Sequence, residues 1–232
     1  MKGYIFDFGG TLDTSGCHWG RMLWHAYERN GVPVTEQDFR EAYVYAERTL
    51  GTNPIIQTNY DFHKTIDIKL RIEMEYLIRQ KICSCTEEEC RKMHKNILDD
   101  VYANVCSTIK ENKKVLEKIA ETCPMVLVSN FYGNMNIVLK EFRLDHLFKS
   151  VVESAVIGIR KPDERIFRMG VDALGMNPEE VTVVGDSYKK DILPSKKIGC
   201  RAVWLKGEGW TDEQFDETVP DRVITDLKEL IL

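Results

Sequence analysis

No apolar run in this 232-residue chain reaches membrane-spanning length, because charged residues interrupt each one well short of the ~20 residues that a bilayer helix needs. The first run, Tyr4-Ile5-Phe6, is stopped by an aspartate at position 7, too early for the core of a secretion signal. The chain also lacks the clustered Lys and Arg that neutralise a nucleic-acid backbone. Its formal net charge is −5, and the basic pairs Lys113-Lys114, Lys189-Lys190 and Lys196-Lys197 are short enough to be solvated helix faces. The paired C-x2-C spacing of a structural zinc site is missing. Cys83, Cys85 and Cys90 fall in a C-x-C-x4-C pattern with His94 one helical turn on, which reads as partly buried cysteines in a helical region. An odd count of seven cysteines without a leader predicts reduced thiols in a cytoplasmic protein. Internal repeats and low-complexity tracts are absent as well. A membrane protein and a nucleic-acid partner are therefore not expected, and the length suits one core with a smaller accessory domain.

Two patterns divide what remains. Residues 1–14 and 109–232 alternate short apolar runs with amphipathic stretches. The runs are Tyr4-Ile5-Phe6, Met125–Val128, Val181–Val184 and Ala202–Leu205, and continuous runs of this length fit parallel strands buried on both faces. In the stretch between the first two, Ile109, Leu116, Ile119 and Ala120 share one helical face. Strands alternating with helices predict an α/β fold with a doubly wound parallel sheet, a Rossmann-like core. Residues 15–108 carry helical periodicity over about 18–30, 36–50, 60–82 and 87–105, with Thr35 and Thr86 as candidate N-caps and Glu89 completing a capping box. They predict an all-helical module inserted after the first strand.

In open α/β sheets, ligands bind beyond the carboxyl ends of the strands. The first run is followed by Asp7-Phe8-Gly9-Gly10-Thr11-Leu12-Asp13, the second by Ser129-Asn130, and the third by Gly185-Asp186-Ser187, with Asp191 five positions after Asp186. Between the last two lies Gly158-Ile159-Arg160-Lys161-Pro162-Asp163. Two acids, a hydroxyl and a lysine delivered to one edge of a sheet can hold a hard divalent cation beside a phosphate. Gly9, Gly10 and Thr11 make a small-residue loop whose N–H groups can approach that phosphate closely.

The order Asp-x-x-Gly-Thr, Ser, Lys-Pro, Gly-Asp-x4-Asp resembles the four motifs of the haloacid dehalogenase-like hydrolase superfamily, and the resemblance covers the whole chain, with the helical module in the place of the family's cap. It implies a phosphatase in which Asp7 is the nucleophile, and Asp7, Asp186 and the Gly9 carbonyl bind Mg²⁺. By the same resemblance Ser129 and Lys161 hold the transferring phosphoryl group, Asp191 supports the metal waters or the lysine, and Asn130 assists at the phosphate. The substrate implied is a small phosphorylated metabolite; monomer and homodimer both remain open.

The chain departs from that pattern at one position. The usual phosphatase carries a second aspartate two residues after the nucleophile, as general acid and base, and here the residue is Gly9. Help worth about 10²–10⁴-fold is then missing unless another group supplies it. Asp13 and His18 are the nearest titratable candidates. Three readings follow: a phosphatase for substrates with good leaving groups, such as acyl phosphates or sugar-1-phosphates; a metal-independent 2-haloacid dehalogenase, which also lacks the second acid; and a non-catalytic binding protein. In the helical module, the aromatic set Trp19, Trp24, His25, Tyr27, Tyr43, Tyr45, Tyr60 and Phe62 reads as core packing, while Arg21, Arg40, Arg48 and Lys64 are candidates for meeting an anionic substrate. Trp210, in Gly207-Glu208-Gly209-Trp210, is expected to pack on the cap or on a second subunit.

Overall fold

The computed structural model describes residues 2–231. Six strands, β1 (Gly3–Phe6), β2 (Met125–Ser129), β3 (Ser150–Glu153), β4 (Val181–Gly185), β5 (Arg201–Leu205) and β6 (Arg222–Ile224), form one sheet in the order β3-β2-β1-β4-β5-β6. All neighbours pair in parallel. The helices are α1 (Trp19–Arg29), α2 (Glu36–Thr52), α3 (Phe62–Arg79), α4 (Glu87–Ala120), α5 (Met135–Glu141), α6 (Ser154–Ile157), α7 (Arg165–Leu174) and α8 (Leu193–Lys197). None is long and apolar enough to cross a membrane.

Alternation along the strands sends successive side chains to opposite faces. Ile5, Val126, Val128 and Val183 pack with Ile166, Phe167 and Val171 of α7 on one face. Phe6, Leu127 and Val184 lie on the other, against Val115, Leu116 and Ile119 of α4 and Val138 and Leu139 of α5. That second core runs without a break into the helical module through Tyr27, Phe39, Phe62, Leu70 and Val101.

Residues 87–105 and the Ile109–Ala120 face, which the sequence presents as separate stretches, belong to a single 34-residue helix, α4. Helix α4 therefore serves both layers, and a boundary at 108/109 would fall inside it. The Thr86–Glu89 capping box starts this helix, and Thr35 with Asp38 forms a second box at α2. The expectation of reduced thiols throughout is corrected at one pair: Cys85 and Cys90 are joined by a disulfide. They flank the Thr86 cap at the positions just before it and four after it, where a helix start brings two side chains together. The other five cysteines are free.

Trp210 packs on the helical module. Its ring centroid lies 5.1 Å from His18 and 5.0 Å from Tyr43, and the Arg40 guanidinium sits 4.1 Å above it. The Arg40 side chain also donates to the Trp210 carbonyl (2.9 Å), and the His18 N–H to the Glu208 carbonyl (2.8 Å). Residues 208–210 thus latch the sheet to α1 and α2. Trp210→Ala is expected to cost about 1.5 kcal/mol, a fall in Tm of about 3–6 °C in thermal denaturation; an unchanged Tm would contradict the latch.

Candidate active site

Strand order reverses around β1, so the loops after β1, β2 and β4 converge at one edge of the sheet. Asp7 extends β1 by one residue, with its N–H on the Val184 carbonyl at 3.0 Å. Its carboxylate is nearly fully buried and receives the Lys161 Nζ at 2.5 Å. The same Nζ donates to Asp191 Oδ1 at 2.7 Å, with the Val128 carbonyl at 3.4 Å. Lys161 is thus a buried cation between two buried acids, and their charges hold its ammonium above the ordinary lysine range against the opposing effect of burial. The Asn130 amide bonds both backbone groups of Lys161, accepting its N–H (2.9 Å) and donating to its carbonyl (3.1 Å). Asn130 thereby supports the lysine, and it also borders the cavity where the sequence places it as a phosphate contact.

Asp186 follows β4, and Gly10 makes room for it. Gly10 has φ +99°, and a Cβ there would overlap the Asp186 carboxylate. The Thr11 hydroxyl accepts the Asp186 N–H (3.0 Å) and faces Asp186 Oδ1 at 3.1 Å and Asp7 Oδ2 at 3.4 Å. Residues Tyr188–Ile192 form a π-helical turn that points Asp191 back at Ser187, whose N–H its Oδ2 accepts at 3.0 Å. A side chain at Gly185 would collide with Asp191.

Asp7, Asp186 and Asp191 bring carboxylate oxygens within 4.8 Å of one another, and one lysine stands among them. Burial, opposed by Lys161, pushes Asp7 up to about 6; burial and the charges of Asp7 and Asp191 push Asp186 well above the usual carboxylate range. Three acids against one cation leave unneutralised negative charge on hard oxygen donors. That donor set fits a divalent cation such as Mg²⁺, and Asp7, Asp186 and Asp191 are the carboxylates that could hold it. Ser129 Oγ is buried without a hydrogen-bond partner among the described residues. Leaving such a group unpaired costs about 1–3 kcal/mol, and a phosphate oxygen would answer it.

A cavity of about 140 Å³ opens between this edge and the helical module, bordered by Asp7, Gly9, Gly10, Asn130, Lys161, Asp186 and Asp191 on one side. Ser129 and Thr11, both buried, are not among the residues that border it. Trp19, Tyr43 and Phe62 border the cavity as well as packing the module's core. None of Arg21, Arg40, Arg48 and Lys64 reaches it. Arg21 and Arg40 are paired with Glu36, and Lys64 with Asp67. The cations at the cavity are Arg160, Lys161, Lys190 and Lys69. Lys69 and its partner Glu47 were not singled out by sequence. The usable signal was a lysine on the apolar stripe of α3, among Phe62, Ile66, Leu70 and Leu77.

Neither Asp13 nor His18, the sequence candidates for a proton donor near Gly9, is placed as one. Asp13 is buried away from the cavity, and its two oxygens accept the Gly10 N–H (2.7 Å) and the Trp19 indole N–H (2.9 Å). Burial raises it to about 7. His18 borders the cavity, but its Nδ1 caps α1 by accepting the Gly20 N–H at 3.0 Å, and burial lowers it to about 4. At neutral pH its ring is uncharged, with its one N–H on Nε2, and it does not serve as a general acid.

A family model described as haloacid dehalogenase-like hydrolase matches residues 4–205. A phosphoserine phosphatase of Thermus thermophilus is 43% identical over 89 residues, covering 38% of this chain and 35% of that one. A glyceraldehyde 3-phosphate phosphatase of Pyrococcus furiosus is 34% identical over 89 residues, 38% of this chain and 37% of its own. The match thus spans little more than a third of the length of these two relatives. A second glyceraldehyde 3-phosphate phosphatase, from Methanothermobacter thermautotrophicus, is 33% identical over 249 aligned positions that cover both chains completely. Among solved structures, a dehalogenase with an intermediate complex aligns at TM-score 0.63 and 18% identity, covering 99% of this chain and 95% of that one. The Bacillus subtilis HAD-hydrolase YfnB bound to magnesium aligns at TM-score 0.60 and 15% identity, covering 99% and 96%. These two likenesses concern the fold; the family model and the full-length relative establish kinship. The chain belongs to the haloacid dehalogenase-like hydrolases.

Proposed function

We propose that this chain is a Mg²⁺-dependent phosphatase of a small metabolite, acting through an aspartyl-phosphate on Asp7. The observation that carries this reading is the pair of buried acids, Asp7 and Asp191, around Lys161, with half-buried Asp186 beside them at the foot of the cavity. A dehalogenase attacking carbon has no use for a three-acid cluster that fits a divalent cation, whereas phosphoryl transfer does. The names of the phosphatase relatives support the same choice. Residues 15–108 are proposed as the cap that sets substrate choice, with the shared helix α4 anchoring it to the core.

In the proposed reaction, the Asp7 carboxylate attacks phosphorus in line, an Asp7 Oδ–P bond forms, and the bond to the leaving-group oxygen breaks. Lys161 balances the charge on Asp7 and on the transferring oxygens, and the Ser129 hydroxyl donates to one of them. Asp191 and Asn130 keep the lysine in place. Bound Mg²⁺ would supply charge neutralisation between nucleophile and phosphate. Water then cleaves the aspartyl-phosphate at phosphorus, releasing phosphate and restoring Asp7. With Gly9 in the acid position, the leaving group departs without a proton from the enzyme, which favours acyl phosphates, sugar-1-phosphates and aryl phosphates over simple alkyl phosphates.

The test is turnover of p-nitrophenyl phosphate and a panel of phosphorylated metabolites, with Mg²⁺ and with EDTA. The proposal expects release that EDTA abolishes and Mg²⁺ restores; haloacid turnover indifferent to EDTA would overturn it. Gly9→Asp examines the missing acid. A Cβ at Gly9 would come no closer than 3.8 Å to the Trp19 indole, so a side chain fits. The variant is expected to gain roughly tenfold or more on alkyl phosphates and little on p-nitrophenyl phosphate. Equal change on both would contradict the missing-acid account.

A further inference from the structure

The cap wall of the cavity carries a charged device that the proposed chemistry does not use. Lys69 of α3 is buried, with its side chain 5% exposed, and its Nζ donates to Glu47 Oε1 of α2 at 2.5 Å. The ammonium lies 4.3 Å from the Tyr43 ring centroid and 5.9 Å from that of Trp19. The Tyr132 hydroxyl, from the loop after β2, donates to the same Glu47 Oε1 at 3.2 Å. Both bonds fall on one oxygen, which leaves Glu47 Oε2 without a protein donor among the described residues, on a side chain 35% exposed at the cavity.

Lys69 and Tyr132 hold Glu47 below the usual carboxylate range in spite of its burial. An acid held ionised in this way is no proton donor, so Glu47 does not replace the acid absent at Gly9. It is an acceptor fixed in place. The pair is electrically neutral as a unit and stands beside two aromatic rings. A hydroxyl-bearing carbon skeleton meets such a wall well: its C–H face lies on the rings, and a hydroxyl donates to the free carboxylate oxygen. A carboxylate on the leaving group would instead face Glu47 with like charge.

Resting on the phosphatase reading above, we infer that Glu47, positioned by Lys69 and Tyr132, is a specificity residue that selects a neutral, polyhydroxylated leaving group and disfavours a carboxylated one. A sugar bound through its anomeric phosphate also satisfies the leaving-group demand that Gly9 imposes.

Binding tests this without requiring turnover. In the full chain carrying Asp7→Asn, with Mg²⁺ present, calorimetry compares glucose 1-phosphate, cyclohexyl phosphate and phosphoglycolate, with and without Glu47→Gln. Glu47→Gln is expected to weaken glucose 1-phosphate roughly tenfold or more, the worth of a hydrogen bond to a charged group. It should leave cyclohexyl phosphate unchanged and tighten phosphoglycolate. Equal weakening of all three, or tightest binding of phosphoglycolate before the substitution, would overturn the inference. Should Glu47→Gln fail to fold with Lys69 left unpaired, Glu47→Gln combined with Lys69→Met removes both charges and keeps the same readout. Turnover of p-nitrophenyl phosphate by the unmutated chain, measured alongside, reports on the phosphatase reading separately.

Discussion

Asp7→Asn is expected to reduce Mg²⁺-dependent phosphate release by roughly 10⁴-fold or more while leaving the fold intact. Asparagine keeps the size of the side chain and removes the nucleophilic oxygen charge. Lys161 does not become an orphan, since Asp191 Oδ1 still receives its Nζ at 2.7 Å. Burial already holds Asp7 up to about 6, so its charge is costly in the folded state, and its loss should not lower Tm. Steady-state rates on p-nitrophenyl phosphate beside a thermal melt separate the two effects. Substantial turnover in a folded Asp7→Asn variant would place the nucleophile elsewhere.

The second large effect is expected at Lys161. Lys161→Met fills the same space without the charge, and leaves Asp7 and Asp191 facing each other beside Asp186 with no cation among them. Breaking a buried pair in this way costs about 3–5 kcal/mol, which corresponds to a fall in Tm of about 6–20 °C. Activity should fall roughly 10²–10³-fold, the scale for losing one charge-stabilising group. The pH dependence has a definite sign. Burial pushes Asp7 up to about 6 in the folded chain, above its unfolded range, so the stability tied to its proton is present at low pH and lost as pH rises through 6. Removing the lysine raises the folded value further. The Lys161→Met defect should therefore be largest at pH 8, shrink toward pH 5, and be partly reversed by millimolar Mg²⁺. A variant that melts like the parent at pH 8 with and without Mg²⁺ would contradict this electrostatic account.

The four central strands were readable because each is buried on both faces and so appears as an unbroken apolar run. β3 and β6 were not read, and both lie at the sheet's edges with one neighbour each. Ser150-Val151-Val152-Glu153 has polar ends and Arg222-Val223-Ile224 starts on an arginine, so each has too few apolar residues to stand out. Helix α4 was divided in two because its apolar stripe serves the cap first and the sheet later, and nothing in a one-dimensional pattern shows the change of partner. That Asp7, Thr11 and Asp186 lie together is legible because strand ends and a backbone-constrained loop fix where they must meet, whereas Lys161 and Asp191 join them through the motif resemblance. Lys69 and Glu47 were not legible, because each reads as a solvated charge on a helix until α2 and α3 are docked. The support that Asn130 gives Lys161 is not legible in sequence, because a side-chain amide after a strand looks the same whether it faces ligand or backbone. The Cys85–Cys90 bridge is not legible from cysteine count or zinc spacing, because only the geometry of the helix start brings the two side chains together.

The most direct test of the central claim is to trap the covalent intermediate. The chain, mixed with Mg²⁺ and p-nitrophenyl phosphate and quenched in acid within the first turnovers, is digested and examined by mass spectrometry. The proposed chemistry predicts a peptide containing Asp7 heavier by one phosphoryl group, absent with EDTA and absent in Asp7→Asn. Phosphate release at a normal rate with no phosphorylated Asp7 peptide, or with the label on another residue, would contradict it.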